Sequence, residues 1–217
     1  YLRLMSQRHT RYANIMESGK TFYHKLIHTI GATLESRTYA EVVAKRKPLL
    51  LPVSTSLAES LQRHFGIPPD ILRVVPNPID MTRFHPGFDL EMWKEVSSRT
   101  GWEVDSFRIL FVGGDWMRKG LDLVIRALAQ LPPEVKLLVV GPGNPKIFES
   151  TLHHLELTRR VLFTGYRRDV ERFYRIAHVL VLPSRYEAQP VVCLEALASG
   201  LPVLVTRFPG TESFIED

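Results

Sequence analysis

The sequence predicts an α/β fold built on a parallel sheet covered on both faces, and three observations from Phe107 onward predict it. Short apolar runs alternate with helical patterns at least four times, as expected when crossover helices join parallel strands. The run from Val135 to Val140 is largely apolar rather than alternating, which suits a strand buried on both sides. Leu121, Val124, Ile125, Leu128 and Leu131 recur at helical spacing.

Residues 1–48 read as two or three helices, interrupted at Gly19 and Gly31. Tyr39, Val42 and Val43 give the last of them an apolar stripe. Leu49 to Val53 reads as a short buried strand. Ser54, Thr55 and Ser56 supply caps for the helix that follows, Ser56 with Glu59 fits a capping box, and the helix ends near Gly66. Ile71 to Val75 reads as another strand, closed by Pro76-Asn77-Pro78. Residues 87–106 carry a Pro-Gly turn, a short helix around Trp93 and a Gly-containing loop, and read as a linker between a unit over 1–86 and one over 107–217.

In the second unit, strands are expected at 108–112, 135–140, 161–164, 178–182 and 202–206, with helices after Gly120 and around 146–157 and 169–177. Pro190 suits the first position of a further helix, because its missing N–H costs nothing there. Gly200 suits its stop, where a left-handed residue is wanted.

Composition narrows the function classes. No uninterrupted apolar run approaches the roughly 20 residues that span a bilayer. The single cysteine, Cys193, excludes an internal disulfide and a cysteine-built zinc site; it reads as a small core residue. The net charge of +5 is uneven: residues 1–48 hold nine Lys/Arg against three Asp/Glu. That excess is either a solvated helical face or an attraction to anionic lipid or an acidic acceptor. No nucleic-acid motif accompanies it. Signatures of serine hydrolases, P-loops and HExxH metal sites are absent.

Candidate chemistry sits where strands end. Gly113 and Gly114 close the first strand of the second unit, and Arg118, Lys119 and Gly120 open its first helix. Two cations there could neutralise phosphate oxygens; a tight turn with a solvated basic helix start is the plain alternative. Gly141-Pro142-Gly143 reads as a turn, because Lys146 stands where a dinucleotide fingerprint needs its third glycine. Gly165-Tyr166-Arg167 ends the third strand, where an aromatic base could rest on backbone. Glu187 falls in the loop after the fourth strand and Glu195 eight positions on, inside the next helix, both near a helix N-terminus that attracts anions. Two acids beside an anion site suggest a ligand with a diphosphate and hydroxyl groups.

The runs FVGGDWMRKG, VVGPG, VLFTG and PSRYEAQPVVCLEALASGLPVL together resemble the nucleotide-binding domain of retaining glycosyltransferases with the two-Rossmann-domain GT-B architecture, of the family 4 type. VVPNPID with Phe84 and Pro86 resembles the end of the first domain there, and ESRTYAEV is similar to the lipopolysaccharide-core glucosyltransferase branch. The resemblance implies a nearly complete second Rossmann-like domain and only the end of the first. The glycine-rich loop and catalytic side chain of the first domain would lie outside this sequence, so this stretch is not expected to catalyse alone.

The resemblance further implies a nucleotide-sugar donor, a glycan or lipid-linked acceptor, no cofactor and no metal. Arg118 and Lys119 would hold the donor diphosphate, and Glu187 the transferred sugar. Glu195 would bond the ribose, backbone N–H groups of Val191 and Val192 would meet phosphate, and Gly165 to Arg167 would border the base, with Gly113 and Gly114 lining the donor. The expected setting is the cytoplasm, at the inner membrane face. Two departures stand out: Gln189-Pro190 where the family has a small or aromatic residue then Gly, and Gly114 where many members carry Arg. They leave open a catalytically inactive nucleotide-binding module. A sugar-nucleotide epimerase on the same architecture is the other alternative.

Overall fold

A computed structural model of the chain describes residues 37, 40, 41, 48–208, 210, 211, 214 and 215. The helices expected before residue 48, and the basic excess they carry, lie almost wholly outside these residues. The chain divides after Pro76 into two compact units.

In the first unit, helix α1 (Thr55–Phe65) is capped by Ser54, whose hydroxyl accepts from the Leu57 N–H at 3.2 Å. Of the three expected caps Ser54 serves, with the extended backbone that aims its oxygen at the first free N–H groups, and the Ser56–Glu59 capping box does not form because Ser56 lies inside the helix. Gly66 ends the helix in the left-handed conformation, as expected. The two strands expected around it reduce to a single parallel bridge, Leu50 to Leu72. Backbone hydrogen bonds continue the pairing, from the Leu50 N–H to the Ile71 carbonyl, from the Arg73 N–H to that of Leu50 and from the Val75 N–H to that of Pro52, while Leu49 and Leu51 are more than half exposed.

The second unit begins at Asn77, so it takes in 77–86, expected in the first unit, and 87–106, expected as a linker. Helix α2 (Leu90–Thr100) starts at Asp89, whose carboxylate accepts from the Met92 N–H, and stops at Gly101. Its Met92, Trp93 and Val96, with Trp102 and Phe84, are buried in the core of this unit. Apolar residues three to four apart on one face make 87–106 a structural layer of the second unit.

The sheet follows. Strands β1 (Phe107–Val112), β2 (Val135–Val140), β3 (Val161–Gly165), β4 (Val179–Leu182) and β5 (Val203–Val205) are all parallel, in the order β3-β2-β1-β4-β5. Between them run α3 (Trp116–Lys119), α4 (Leu121–Leu128), α5 (Lys146–His154), α6 (Glu171–Tyr174) and α7 (Val191–Ala198). Leu110, Phe111, Leu137, Leu138 and Val139 are fully buried, which is why consecutive rather than alternate positions are apolar.

One charge enters this core. Arg108 on β1 is 3% exposed and lies over the Trp93 ring at 4.4 Å. Its guanidinium donates to the carbonyls of Ile176, Ser106 and Val104, so the buried cation is satisfied.

The strand order has one consequence for function. From β1 the chain winds outward through β2 to β3, then returns to lay β4 on the other side of β1. The carboxyl ends of β1 and β4 therefore flank a crevice where the winding reverses, the usual ligand position in open parallel sheets. Among the described residues no helix is long and apolar enough to cross a membrane.

Candidate functional site

The loops leaving β1 and β4 build the site. Beyond β1, Asp115 takes a left-handed conformation (φ 47°) and launches the four-residue α3. Arg118 and Lys119 fall in its last turn, not at the start of the following helix. Gly120 (φ 80°) separates the two, since a left-handed residue cannot continue an α-helix.

Beyond β4, Pro183 to Pro190 form a loop that carries Glu187, and α7 begins at Val191 with Pro190 as its cap residue. The two loops are sewn together by the Arg185 N–H, which donates to the Arg118 carbonyl at 2.9 Å. At the far end of α7, Gly200 (φ 73°) and Leu201 donate to the carbonyls of Leu197 and Ala196. This is the left-handed stop expected there.

Three donors converge on one oxygen, Glu187 Oε1. Arg118 Nη1 lies at 3.0 Å, Lys119 Nζ at 3.1 Å and Ser184 Oγ at 3.0 Å. Arg118 also donates to the Tyr186 carbonyl at 2.6 Å and to Asp115 Oδ2 at 2.7 Å. The side chains of Arg118, Lys119 and Glu187 are only 12–18% exposed. Burial lowers the Arg118 pKa and the carboxylates of Glu187 and Asp115 outweigh it, for a net rise. The other Glu187 oxygen has no hydrogen-bond partner among the described residues.

Gly113 makes room for this arrangement. A β-carbon there would stand 2.8 Å from Lys119 Cε, so the lysine stem crosses directly over the glycine to reach Glu187. Gly141, read as a turn residue, is also a close-approach point: a β-carbon would sit 2.5 Å from the Gly113 carbonyl. Gly114 abuts Pro142.

Glu195 lies in the middle of α7, and the buried Tyr174 hydroxyl donates to its Oε2 at 2.6 Å. Among the described residues no cation is within ion-pair distance of it. The thiol of Cys193, fully buried between the two acids in sequence, is pushed up to about 12. Burial is the main cause; Lys119 pulls it down while Glu187 and Glu195 push it up. All three charged groups thus act on one atom, and the thiol is an inert core group, as expected.

The residues expected to border the base, Gly165 to Arg167, form no ion pair with this cluster. Gly165 accepts the Gly141 N–H at 2.9 Å, continuing the ladder across the carboxyl edge of the sheet. Tyr166 is 71% exposed. Arg167 is held by Glu95 and Asp169 and lies over Phe173. Val191 and Val192 open α7, where their N–H groups have no acceptor inside the helix.

Sequence reading passed over Ser184 as mere context and missed Tyr174. Ser184 meets Glu187 three residues on within the same loop, whereas Tyr174 acquires its partner 21 positions away, through a helix that the fold brings near. Gln189, a departure from the family pattern, is buried and accepts the Asn77 N–H at 2.7 Å. Its amide is thus spent on the backbone at the start of the unit. Among the described residues no group of three His, Cys, Asp or Glu gathers as metal ligands.

The family model described as "Glycosyl transferases group 1" matches residues 106–217. The lipopolysaccharide glucosyltransferase WaaG of Escherichia coli strain K12 is 30% identical over 212 residues, 95% of this chain and 56% of that protein. A D-inositol 3-phosphate glycosyltransferase of Xylanimonas cellulosilytica is 33% identical over 186 residues, 82% of this chain and 45% of that protein. Among solved structures, the crystal structure of WaaG, a glycosyltransferase involved in lipopolysaccharide biosynthesis, superposes with a TM-score of 0.68 at 29% identity. It covers 79% of this chain and 47% of that one. The chain spans about half the length of the curated relatives it matches.

Proposed function

The chain belongs to the group 1 glycosyl transferases and shares the GT-B fold; from that premise we propose that it binds a nucleotide-sugar donor and moves the sugar, with retention, to a glycan or lipid-linked acceptor. Residues 77–217 form the donor-binding domain, and the preceding unit belongs to the acceptor-side domain. The observation that carries this reading is the convergence of Arg118 and Lys119 on Glu187 where the winding of the sheet reverses.

The donor diphosphate takes the two cations and the first N–H groups of α7 as its partners. As the bond between the anomeric carbon and the phosphate oxygen breaks, negative charge grows on the diphosphate. Fixed cations that meet that charge, in a site that excludes water, lower the barrier, so no metal ion is required of the site. Glu187, released from part of its ion pairing, accepts from a hydroxyl of the sugar and orients the anomeric carbon. The acceptor oxygen bonds to that carbon on the face the diphosphate leaves, and its proton passes to the departing phosphate oxygen. Glu195, whose carboxylate has only the neutral Tyr174 hydroxyl as a partner among the described residues, accepts from the ribose diol. Gly165 to Arg167 border the base, through backbone and the exposed Tyr166 ring.

The relatives named for lipopolysaccharide and inositol phosphate products support an acceptor rich in hydroxyl groups. The basic excess of residues 1–48 supports work at the cytoplasmic face of a membrane. Thermal-shift measurements on the full-length protein with UDP, GDP, ADP and their glucose conjugates test the donor reading. One base should raise the melting point, with or without Mg²⁺. No shift with any of them would sink it. Radiolabelled transfer with EDTA present then tests metal independence, and loss of transfer on chelation would refute it.

A further inference from the structure

Tyr174 has no place in the chemistry above, yet it is 1% exposed and its hydroxyl donates to Glu195 Oε2 at 2.6 Å. A buried tyrosine needs a partner for its hydroxyl; here the partner is a carboxylate of the proposed donor site. The ring itself is fixed, packing edge-on against Phe84 with centroids 5.8 Å apart.

The backbone that carries Tyr174 is fixed too. Helix α6 has four residues, too few to hold themselves by helical hydrogen bonds alone. Three ion pairs fasten it and its end to the segment before α2. Arg83 meets Glu171 at 2.7 Å, and Asp89 meets Arg172 at 2.9 Å and Arg175 at 3.0 Å. The phenol of Tyr174 remains a donor throughout the neutral range, because burial and then the Glu195 charge hold its pKa well above the usual value.

We propose that Tyr174 is a positioning and specificity-determining residue: by holding Glu195 Oε2 it turns Oε1 toward the ligand and makes the site select ribonucleotide over deoxyribonucleotide donors. The inference rests on the reading of Glu195 as the ribose acceptor. The terminal torsion of a glutamate is broad and two-fold, so an unheld carboxylate samples several orientations. Ordering it on binding costs affinity, whereas a carboxylate held in advance does not carry that cost. A fixed acceptor also discriminates more sharply. A donor lacking one hydroxyl leaves it unpaired, and it cannot swing away to find another partner.

The test uses the full-length protein and isothermal titration. The probes are whichever of UDP, GDP and ADP binds best, with its 2′-deoxy and 3′-deoxy counterparts. Tyr174→Phe should weaken the ribonucleotide about tenfold and the deoxy forms less than about threefold, so that the preference collapses. Phe84→Leu, which loosens the ring but keeps the hydroxyl, should lower the melting point and leave the preference in place. In a cycle with Glu195→Asp, the double variant should lose no more preference than the worse single one.

Equal losses for all three probes, or no loss, would overturn the role of Tyr174. If Tyr174→Phe does not fold, 3-fluorotyrosine at position 174 keeps the shape and strengthens the donor, and the preference must rise; an unchanged preference overturns the proposal equally. The premise fails separately. A wild-type protein that binds the diphosphate without preferring ribose refutes the reading of Glu195, and one that binds no diphosphate refutes the donor site itself.

Discussion

Asp89 and Glu187 are both carboxylates held by two cations, 12% exposed at the side chain, and yet they do opposite things. Asp89 uses both oxygens. Oδ2 accepts from Arg172 and Arg175, while Oδ1 accepts from Arg172 and from the Met92 N–H. Its acceptor capacity is full, and each partner is a group of the fold. Glu187 takes three donors on Oε1 and leaves Oε2 without a partner among the described residues. A saturated carboxylate is a fastener. A carboxylate that is crowded on one oxygen and open on the other is half of a binding site. The count of ion pairs would not separate them; the distribution of donors over the two oxygens does.

The contrast makes unequal predictions for activity and stability. The largest effect should come from Lys119→Ala in the full-length enzyme. On the proposed reading this cation meets the leaving diphosphate, and its removal should lower kcat/KM by about 100- to 1000-fold. The melting point should move by no more than a few degrees. A steady-state assay beside a thermal melt checks both, and wild-type kinetics would break the comparison on the functional side.

Asp89→Ala should do the reverse. Losing a partly buried carboxylate with four donors should cost about 2 kcal/mol of stability by urea unfolding. Turnover per folded molecule at saturating donor should stay close to wild type, and donor affinity should fall by no more than the roughly tenfold set by Tyr174, whose helix Asp89 fastens. The Arg172 hydrogen bond holds the Asp89 pKa down at about 2, against roughly 3.9 in an unfolded chain. A depressed folded pKa gives stability that is present above about pH 4 and fades as pH falls toward 2. The gap between wild type and Asp89→Asn should therefore be constant from neutral pH to about pH 5 and shrink below that. A gap that stays constant down to pH 2 would mean that Asp89 is not the anchor described.

Gly113→Ala probes the crossing point. The new methyl would meet Lys119 Cε at 2.8 Å, and φ at Gly113 is 130°. The lysine stem must shift, so diphosphate affinity should fall by about tenfold, alongside a stability loss of about 1 kcal/mol. Calorimetric titration reads the first and unfolding the second. Unchanged affinity would show that Lys119 has another route to Glu187.

The smallest effect sharpens the comparison most. Glu187→Gln removes the negative charge that both cations now face. A free nucleoside diphosphate should bind slightly tighter, by about two- to fivefold, while sugar transfer falls. Weaker diphosphate binding in this variant would show that Glu187 organises the cations rather than competing for them.

Much of this was legible from residues alone. Four of the five strands fall where apolar runs end in Gly or Pro, and β5 is followed by Thr206; β1 and β2, buried on both faces, have little freedom in composition. Gly200 and Gly66 mark real helix ends because few residues other than glycine adopt the left-handed stop readily. The misreadings share a cause. Leu49 to Val53 has strand composition but, among the described residues, pairs only with the short stretch around Leu72, and 87–106 looks like a linker because its apolar face is short and flanked by glycines. Arg118 and Lys119 were placed on the wrong helix because a four-residue turn of helix has no periodicity to read.

The sequence by itself determined the parallel α/β sheet, the carboxyl-end position of Gly113, Arg118, Lys119 and Glu187, and the inert character of Cys193. These follow from hydrophobic period and from residue types that a local backbone demands. Only the tertiary structure decided that Arg118 and Lys119 share one oxygen of Glu187, that Tyr174 holds Glu195, and that Arg167 is bound to Glu95 and Asp169. Each of these pairs is separated by 21 to 72 positions, apart from the adjacent Asp169. Arg118 and Lys119 meet Glu187 through the strand order, which brings β4 beside β1, and the other pairs meet where helices and loops pack on the sheet; no local propensity encodes which elements become neighbours.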